Sequence, residues 1–192
     1  GSEGDVPVPG EYDGDLKTDL AVWRPSTGVW YILRSSDASY DIRQFGVGTD
    51  KPAQGDFDAD GKTDIAVYRP NTGVWYIWKS TDNDFIITGF GLSEDLPVQA
   101  DYDGDGRHDI AVFRPSNGVW YLLRSTAGFT AAQFGISTDK PVPADYDGDG
   151  LSDIAVFRNG VWYALRSSDG SAFVVSFGLE GDIPAPGGFI AE

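Results

Sequence analysis

Aspartate residues recur at a fixed spacing in a short loop near residue 60. Asp56, Asp58, Asp60 and Asp64 stand at positions 1, 3, 5 and 9 of this loop, and Gly61 stands at position 6. Ca²⁺ binds about six to eight hard oxygen ligands, and alternate positions of a tight loop turn their carboxylates towards a common centre. Glycine at position 6 permits the sharp turn, as in an EF-hand loop. An all-oxygen, flexible loop favours Ca²⁺ over Mg²⁺ and Mn²⁺, so the spacing predicts a calcium site.

The same loop occurs four times, and we predict the backbone carbonyl at position 7 as a further ligand in each copy. Positions 1, 3, 5, 7 and 9 give the candidate metal ligands Glu11, Asp13, Asp15, Lys17 and Asp19; Asp56, Asp58, Asp60, Lys62 and Asp64; Asp101, Asp103, Asp105, Arg107 and Asp109; and Asp145, Asp147, Asp149, Leu151 and Asp153. The alternative is that aspartate and glycine only mark solvated turns. Turns do not require four carboxylates at fixed positions, and the fourfold recurrence favours the metal interpretation.

The first loop departs from the pattern at two positions. Glu11 replaces aspartate at position 1, and Leu16 replaces glycine at position 6. A leucine at a position that requires positive φ is strained. We therefore expect up to four calcium ions, with the weakest site at residues 11–19. Because each loop crowds like charges together, we also expect metal binding to be coupled to folding.

The loops are part of a longer internal repeat, which dominates the fold prediction. They begin 45, 45 and 44 residues apart, at residues 11, 56, 101 and 145. Each loop is followed by an apolar segment, by the phrase Gly-Val-Trp-Tyr, and then by Phe-Gly and a proline-containing segment. We assign the repeats to residues 11–55, 56–100, 101–144 and 145–187 of a single domain, 1–192. Residues 187–192 align with the start of the first loop and resemble a decayed fifth copy.

The segments between the loops are typical of β-strands. In the second repeat, residues 64–69 and 74–79 are rich in β-branched and aromatic residues and flank a turn at residues 71–73, which predicts a hairpin. A more variable strand near Phe85 and a short edge segment at Pro97 complete the repeat. Four antiparallel strands form one propeller blade. The sequence therefore predicts an all-β fold, a small β-propeller of four blades with one calcium loop each. The alternative is a part of a larger propeller array.

Composition excludes several classes of function. The formal net charge of −16 opposes binding to nucleic acids and to anionic membrane surfaces. The chain has no cysteine, and its one histidine, His108, stands in a loop and is assigned no role. No apolar run is long enough to cross a membrane, and no signal peptide is visible. We expect no nucleic-acid partner and no membrane insertion.

The Asp-x-Asp-x-Asp-Gly-x-x-Asp loops, the Ile-Ala-Val segments after them, and the later Phe-Gly pairs resemble the FG-GAP/VCBS repeats. This resemblance covers nearly the whole chain. It implies calcium at loop positions 1, 3, 5 and 9 and at the carbonyl of position 7. It also implies blades of an integrin-α-like propeller, an extracellular or cell-surface location, and adhesion or ligand binding. Such propellers have about seven blades, so four repeats would close as a compact ring, close through a dimer, or form a piece of a larger array.

Two further residue types recur in every repeat, with two interpretations. They are the tryptophans Trp30, Trp75, Trp120 and Trp162 and the arginines Arg24, Arg69, Arg114 and Arg158. A ring of sugar sites would use tryptophan for stacking and arginine for hydroxyl groups. The other interpretation, which we favour, is packing between blades with arginine bridging acids or carbonyls. Trp78 breaks the repeat, because leucine occupies its place elsewhere; it is an exposed contact or a larger core residue.

No catalytic set is visible in the sequence. There is no Ser–His or Cys–His pairing, no glycine-rich phosphate loop, and no carboxylate pair apart from the loops. We predict a non-enzymatic calcium-binding module that serves as a binding partner or scaffold for a protein or glycan ligand. The alternative is a calcium-dependent lectin with sites at or between the blades.

Overall fold

The computed structural model describes residues 1–185, which form sixteen β-strands and no α-helix. The strands lie in four sheets, and each sheet contains four antiparallel strands in chain order. Within the described residues, no helix is long and apolar enough to span a membrane. The predicted all-β class, with four four-stranded blades of a β-propeller, is confirmed. The decayed fifth copy at 187–192 lies outside the described residues.

The segment Gly1–Ser93 forms one compact unit of two sheets. The first sheet comprises β1 (Val6–Pro7), β2 (Leu20–Arg24), β3 (Val29–Leu33) and β4 (Tyr40–Gln44). The second comprises β5 (Lys51–Pro52), β6 (Ile65–Arg69), β7 (Val74–Trp78) and β8 (Phe85–Gly89). Buried residues from both sheets share one hydrophobic cluster, in which Trp30 and Ile32 pack with Val67.

A second compact unit begins at Glu94 and also contains two sheets. The third sheet comprises β9 (Leu96–Pro97), β10 (Ile110–Arg114), β11 (Val119–Arg124) and β12 (Gly128–Gln133). The fourth comprises β13 (Lys140–Pro141), β14 (Ile154–Arg158), β15 (Val161–Leu165) and β16 (Ala172–Ser176). The assignment of the whole chain to one domain stays a prediction.

Each sheet begins with the proline-containing segment that precedes a metal loop. Pro52 in β5 pairs with Val67 in β6, and the loop at residues 56–64 connects the two strands. A proline is tolerated on an edge strand because the missing N–H faces away from the sheet. The short strand at the end of one repeat therefore belongs to the blade of the next repeat.

The recurring tryptophans lie within the blades, where their indole N–H groups form hydrogen bonds with backbone carbonyls. Trp30, Trp75 and Trp120 have no exposed surface, whereas Trp162 is half-buried. The Trp75 indole N–H donates to the Phe90 carbonyl at 2.9 Å, and each counterpart donates in the same way to the phenylalanine of its own Phe-Gly pair. Tryptophans that are completely buried cannot stack on a sugar. The packing interpretation is supported for these three residues.

The two glycine-containing phrases of each repeat meet at one point. Gly73, at the start of Gly-Val-Trp-Tyr, has φ of 65°, and a β-carbon there would collide with the Gly91 carbonyl oxygen. Gly91 is the glycine of the following Phe-Gly pair and also has positive φ. The same contact recurs between Gly28 and Gly46, Gly118 and Gly135, and Gly160 and Gly178. Both glycines are therefore required by a close approach of two backbone segments.

Each recurring arginine is clamped to a buried aspartate of the same sheet. Arg69 donates to Asp50 in a bidentate pair, Nε to Oδ1 at 2.8 Å and an Nη to Oδ2 at 2.9 Å, and its guanidinium lies over the Tyr76 ring. The planar fork of arginine matches a carboxylate in this geometry. The equivalent pairs are Asp5–Arg24, Asp95–Arg114 and Asp139–Arg158. The arginines thus bridge acids, as the packing interpretation predicts.

The glycine contact predicts a strong effect of one methyl group. Gly73→Ala should lower the free energy of unfolding by about 2–4 kcal/mol, because it combines positive-φ strain with a backbone collision. The matched control is Gly89→Ala in β8, where a β-carbon meets no atom within 4 Å. Urea unfolding should show the control within about 0.5 kcal/mol of the wild type. Equal effects of the two substitutions would contradict the proposed contact.

The arginine clamp predicts a loss of stability in acid. The hydrogen bond from Arg24 and the backbone amide of Ser2 lower the pKa of Asp5 to about 2. A carboxyl whose pKa is lower in the folded state stabilises the fold above its ordinary pKa of about 4, and this contribution is lost as the pH falls to about 2. Between these values, Asp5→Asn should lose less stability with falling pH than the wild type. Urea unfolding at several pH values measures this, with exposed Glu3→Gln as the control. Parallel curves for wild type and Asp5→Asn would rule out the clamp.

Candidate metal centre

Each metal loop is closed by a bridge between its two flanking strands. In the second loop, the Asp64 amide donates to the Gly55 carbonyl at 2.7 Å. Equivalent bridges join Gly10 to Asp19, Ala100 to Asp109 and Ala144 to Asp153. The loop therefore has fixed ends, and its carboxylates have only nine residues within which to arrange themselves.

The structure brings carboxylates together in all four loops. In the second loop, oxygens of Asp56, Asp58 and Asp64 lie within 4.8 Å of one another, which is close enough for one cation to contact all three. The third and fourth loops contain the same groups, Asp101, Asp103 and Asp109, and Asp145, Asp147 and Asp153. In the first loop the group is Glu11, Asp13 and Asp15. The acids at positions 1 and 3 thus lie together in every loop. The third acid of the group is at position 9 in the second, third and fourth loops and at position 5 in the first.

The carboxylate at position 1 organises the loop backbone. Asp56 accepts hydrogen bonds from the amides of Ala59 at 2.7 Å and Gly61 at 2.9 Å. Asp101 and Asp145 accept from the equivalent amides of their own loops. These bonds turn the chain around the carboxylate and fix the direction in which it points. The turn chemistry and the clustering of acids are therefore parts of one arrangement.

The carboxylate at position 9 joins the loop to the sheet. Asp64 is completely buried and accepts from the Phe57 amide at 2.9 Å and from the Ser80 amide at 2.7 Å. Asp19, Asp109 and Asp153 make the same two bonds with the residue at position 2 and with the serine that follows the Trp-Tyr strand. One side chain thus ties three segments together.

Pairs of hydroxyl residues after β3, β7, β11 and β15 support the remaining carboxylates. The Ser80 hydroxyl donates to Asp60 at 2.7 Å, and the Thr81 hydroxyl donates to Asp58. The corresponding pairs are Ser35 and Ser36, Ser125 and Thr126, and Ser167 and Ser168. The sequence interpretation missed these residues. Their signal is the recurrence of Ser-Ser or Ser-Thr after every Trp-Tyr strand, at a constant distance from the loop.

The residues at position 7 contribute their backbone amides to the loop. Lys62 N donates to Asp60 at 2.8 Å, and Lys17, Arg107 and Leu151 donate to Asp15, Asp105 and Asp149. This bond forms with any side chain, which explains why lysine, arginine and leucine all occur there. Their carbonyls as metal ligands remain a prediction.

Three buried carboxylate oxygens in the loops have no hydrogen-bond partner among the described residues. They are Glu11 Oε2, Asp58 Oδ1 and Asp103 Oδ1. A buried acceptor without a partner costs free energy, more so when it is charged. The other carboxylate oxygen of each residue accepts a hydrogen bond: Glu11 from a loop amide, and Asp58 and Asp103 from the threonine hydroxyls after β7 and β11. The unused oxygens fit a hard cation, because it would supply the missing partner.

The electrostatics of the second loop point the same way. Burial, and to a lesser extent the charge on Asp58, raises the pKa of the Asp64 carboxyl to about 6 against the opposing amide hydrogen bonds. Burial likewise raises the pKa of Asp56 and of Asp109 in the third loop. Burial therefore disfavours the ionised form of these three carboxyls in the protein alone.

The first loop carries the strain that its sequence predicts. Leu16 at position 6 has φ of 64°, whereas glycines with φ of 81° to 89° occupy this position in the other loops. Ala59, at position 4 of the second loop, has φ of 61° where the other loops have glycine, a strain that the sequence interpretation missed. Both residues adopt a conformation that glycine reaches without cost.

Residues 101–156 match the family model described as an FG-GAP-like repeat. This segment is similar to an FG-GAP-like repeat. The match covers the third loop, the four strands β10 to β13 after it, and the fourth loop with the start of β14. It confirms the resemblance to FG-GAP repeats stated from the sequence. No curated protein sequence matches the chain.

Two solved structures share the fold at low sequence identity. BBS1N in complex with ARL6DN, from a mercury-soaked crystal, is 13% identical with a TM-score of 0.53, and the match covers 92% of this chain and 54% of that chain. A lead-soaked crystal of the same complex gives 12% identity, a TM-score of 0.50, and coverage of 92% and 57%. The biofilm matrix protein Bap1 of V. cholerae is 17% identical with a TM-score of 0.45, and the match covers 89% of this chain and 28% of that chain. This chain thus spans about half the length of BBS1N.

The strain at Leu16 predicts a stabilising substitution. Leu16→Gly should raise the free energy of unfolding without calcium by about 1 kcal/mol, because glycine adopts positive φ without a steric penalty and Leu16 is 78% exposed. Leu16→Ala is the control, since alanine removes the exposed side chain but keeps the β-carbon. Urea unfolding in EDTA compares the three proteins. An equal gain from alanine would show that the φ angle is not the cause.

Proposed function

We propose that this chain is a non-enzymatic, calcium-binding β-propeller module whose four loops bind Ca²⁺ and whose blades serve to bind a partner or act as a scaffold. The observation that carries the calcium assignment is the clustering of three acids in every loop, with buried oxygens that lack partners in three of them. Bound Ca²⁺ would supply positive charge and coordination sites for these oxygens.

The residues of each loop have distinct roles in this proposal. The carboxylates at positions 1 and 3 face the ion together with position 9 in loops two to four. In the first loop position 5 replaces position 9, so that Glu11, Asp13 and Asp15 are closest together. Hydroxyl groups such as those of Ser80 and Thr81 hold the carboxylates in place from outside the loop. The first site is the weakest because Leu16 strains its turn.

The ions would stabilise the fold at the point where three segments meet. Asp64 is bonded to the loop amide of Phe57 and to the amide of Ser80 beyond β7. Burial is the main cause of its raised pKa, and an ion that neutralises Asp58 would remove the smaller contribution of charge repulsion. A structural role for calcium therefore follows from the position of the loop between two strands of one blade.

A protein partner is favoured over a glycan for the binding role. BBS1N, which shares the fold, was solved in complex with another protein, ARL6DN. The lectin alternative has no observation in its favour, since Trp30, Trp75 and Trp120 are completely buried. An extracellular or cell-surface location belongs to this proposal by analogy with the FG-GAP family.

Calcium removal tests the proposal directly. Thermal unfolding with saturating calcium should give a Tm at least about 5 °C above that in excess EDTA, because an ion that binds only the folded state stabilises it. Native mass spectrometry should find three or four calcium ions per chain. Asp103→Asn should lower this number by one, whereas Glu180→Gln, an exposed acid outside the loops, should not. A Tm that ignores EDTA, with no bound metal, would refute the calcium assignment.

A further inference from the structure

A half-open cavity of about 280 Å³ lies between the first and second sheets, within the unit Gly1–Ser93. Its walls include Arg34, Asp41 and Arg43 from the first sheet and its flanks, and Trp78 and Lys79 from β7 and its end. Lys62, at position 7 of the second metal loop, also lines it. We call this cavity the basic pocket. Its volume is at the lower end of the range for ligand sites, so it suits a small molecule.

The basic pocket has an excess of positive charge, whereas the protein as a whole is strongly anionic. The chain has 14 basic residues against 30 acidic ones, yet four basic side chains line this one cavity. They are Arg34, Arg43, Lys62 and Lys79, and the acids among the lining residues are Asp13 and Asp41. Lys79 is paired with Asp82 outside the lining at 2.8 Å, so the excess of positive charge comes from Arg34, Arg43 and Lys62. A cavity with an excess of positive charge in an anionic protein concentrates anions.

Several donors in the basic pocket lack an acceptor. Asp41 accepts from Arg34 at 3.2 Å and from Arg43 at 3.0 Å, which satisfies most of the Arg43 guanidinium. The Lys62 ammonium has no hydrogen bond or ion pair among the described residues, and the indole nitrogen of Trp78 is buried without an acceptor. A buried N–H without a partner is costly. What the cavity lacks is therefore negative charge and oxygen acceptors.

The chemistry of the basic pocket is not a general property of the repeat. Strand register aligns Asp41 and Arg43 with Thr130 and Ala132 of the third sheet. In the fourth repeat, Leu151 and Leu165 stand in the places of Lys62 and Trp78. A basic residue recurs at the place of Arg34 and Lys79 in every repeat, and position 7 is basic in three of the four loops. Asp41, Arg43 and Trp78 have no counterparts of the same kind in the other repeats, so these three residues distinguish this cavity. In the third and fourth repeats, leucine, alanine and threonine at these places are sufficient for packing.

We propose that the basic pocket binds a small organic acid through its carboxylate. Arg34 has guanidinium N–H groups that Asp41 does not use, and guanidinium forks match the planar carboxylate. Lys62 supplies a positive charge, and the Trp78 side chain forms part of the wall. Arg43 lies over the Trp78 ring, 4.9 Å from its centre, and fixes the indole against Asp41 and the first sheet.

The indole N–H signals in ¹H–¹⁵N NMR spectra provide the test, because the chain has six tryptophans and the signal of Trp78 can be assigned. Trp78→Leu, which introduces the residue found in the other blades, identifies it by loss. The probe is malonate, titrated at constant ionic strength and saturating calcium, and the matched neutral ligand is malonamide. We expect a saturable shift of the Trp78 signal with malonate and none with malonamide.

Two variants at the same loop position complete the experiment. Lys62→Leu removes a charge from the basic pocket, and Arg107→Leu removes the equivalent charge from the third loop, outside it. Both introduce the residue that position 7 of the fourth loop already has. Malonate affinity should fall at least about fivefold in the first variant and stay unchanged in the second.

An equal effect of the two variants, or the same shift with malonamide, would overturn the proposal. So would a Trp78 signal that does not respond to malonate. The inference is independent of the calcium assignment, because the Trp78 signal reports on the cavity whether or not the loops bind metal.

Discussion

The fold depends on the buried aspartate at position 9 of each loop. This side chain must accept one amide from its own loop and one from the far end of the hairpin, as Asp64 does with Phe57 and Ser80. With its oxygens held on both sides, it cannot move away from the carboxylates at positions 1 and 3. The geometry that closes the blade therefore also creates the electrostatic problem in the loop. A cation at these carboxylates would reduce their repulsion and leave the hydrogen bonds of Asp64 in place.

Much of this arrangement could be predicted from the sequence because it is repeated. Four copies of the loop at nearly constant spacing identified the carboxylates, the hairpins and the number of blades. The hydroxyl pairs such as Ser80 and Thr81 could not be assigned, because serine after a strand is common and its partner lies about 20 residues away in sequence. The aspartate clamp of Arg69 was equally hidden, since Asp50 precedes it by 19 residues and lies on another strand. Long-range pairing of polar groups is decided by strand register, which local patterns do not encode.

The departures from the repeat are as informative as the repeat itself. Leu16 and Ala59 show where the chain tolerates backbone strain, and Trp78 shows where it has placed a large side chain that no other blade has. Trp78 was visible as an exception in the sequence, but its surroundings were not. Arg43 and Asp41 come from a neighbouring sheet, and only their meeting with Lys62 and Trp78 gives the cavity its character. Cross-sheet proximity of this kind requires the three-dimensional structure.

The offset between repeat and blade has a consequence for how such genes can change. The strand β5 stands at the end of the first repeat but completes the sheet of the second. Each repeat therefore contributes strands to two sheets. Insertion or deletion of a whole unit of about 45 residues would then regenerate the same strand pairing at the new boundary, wherever the break falls within the unit. Unequal recombination could therefore change the number of repeats while the strand pairing within each sheet is preserved.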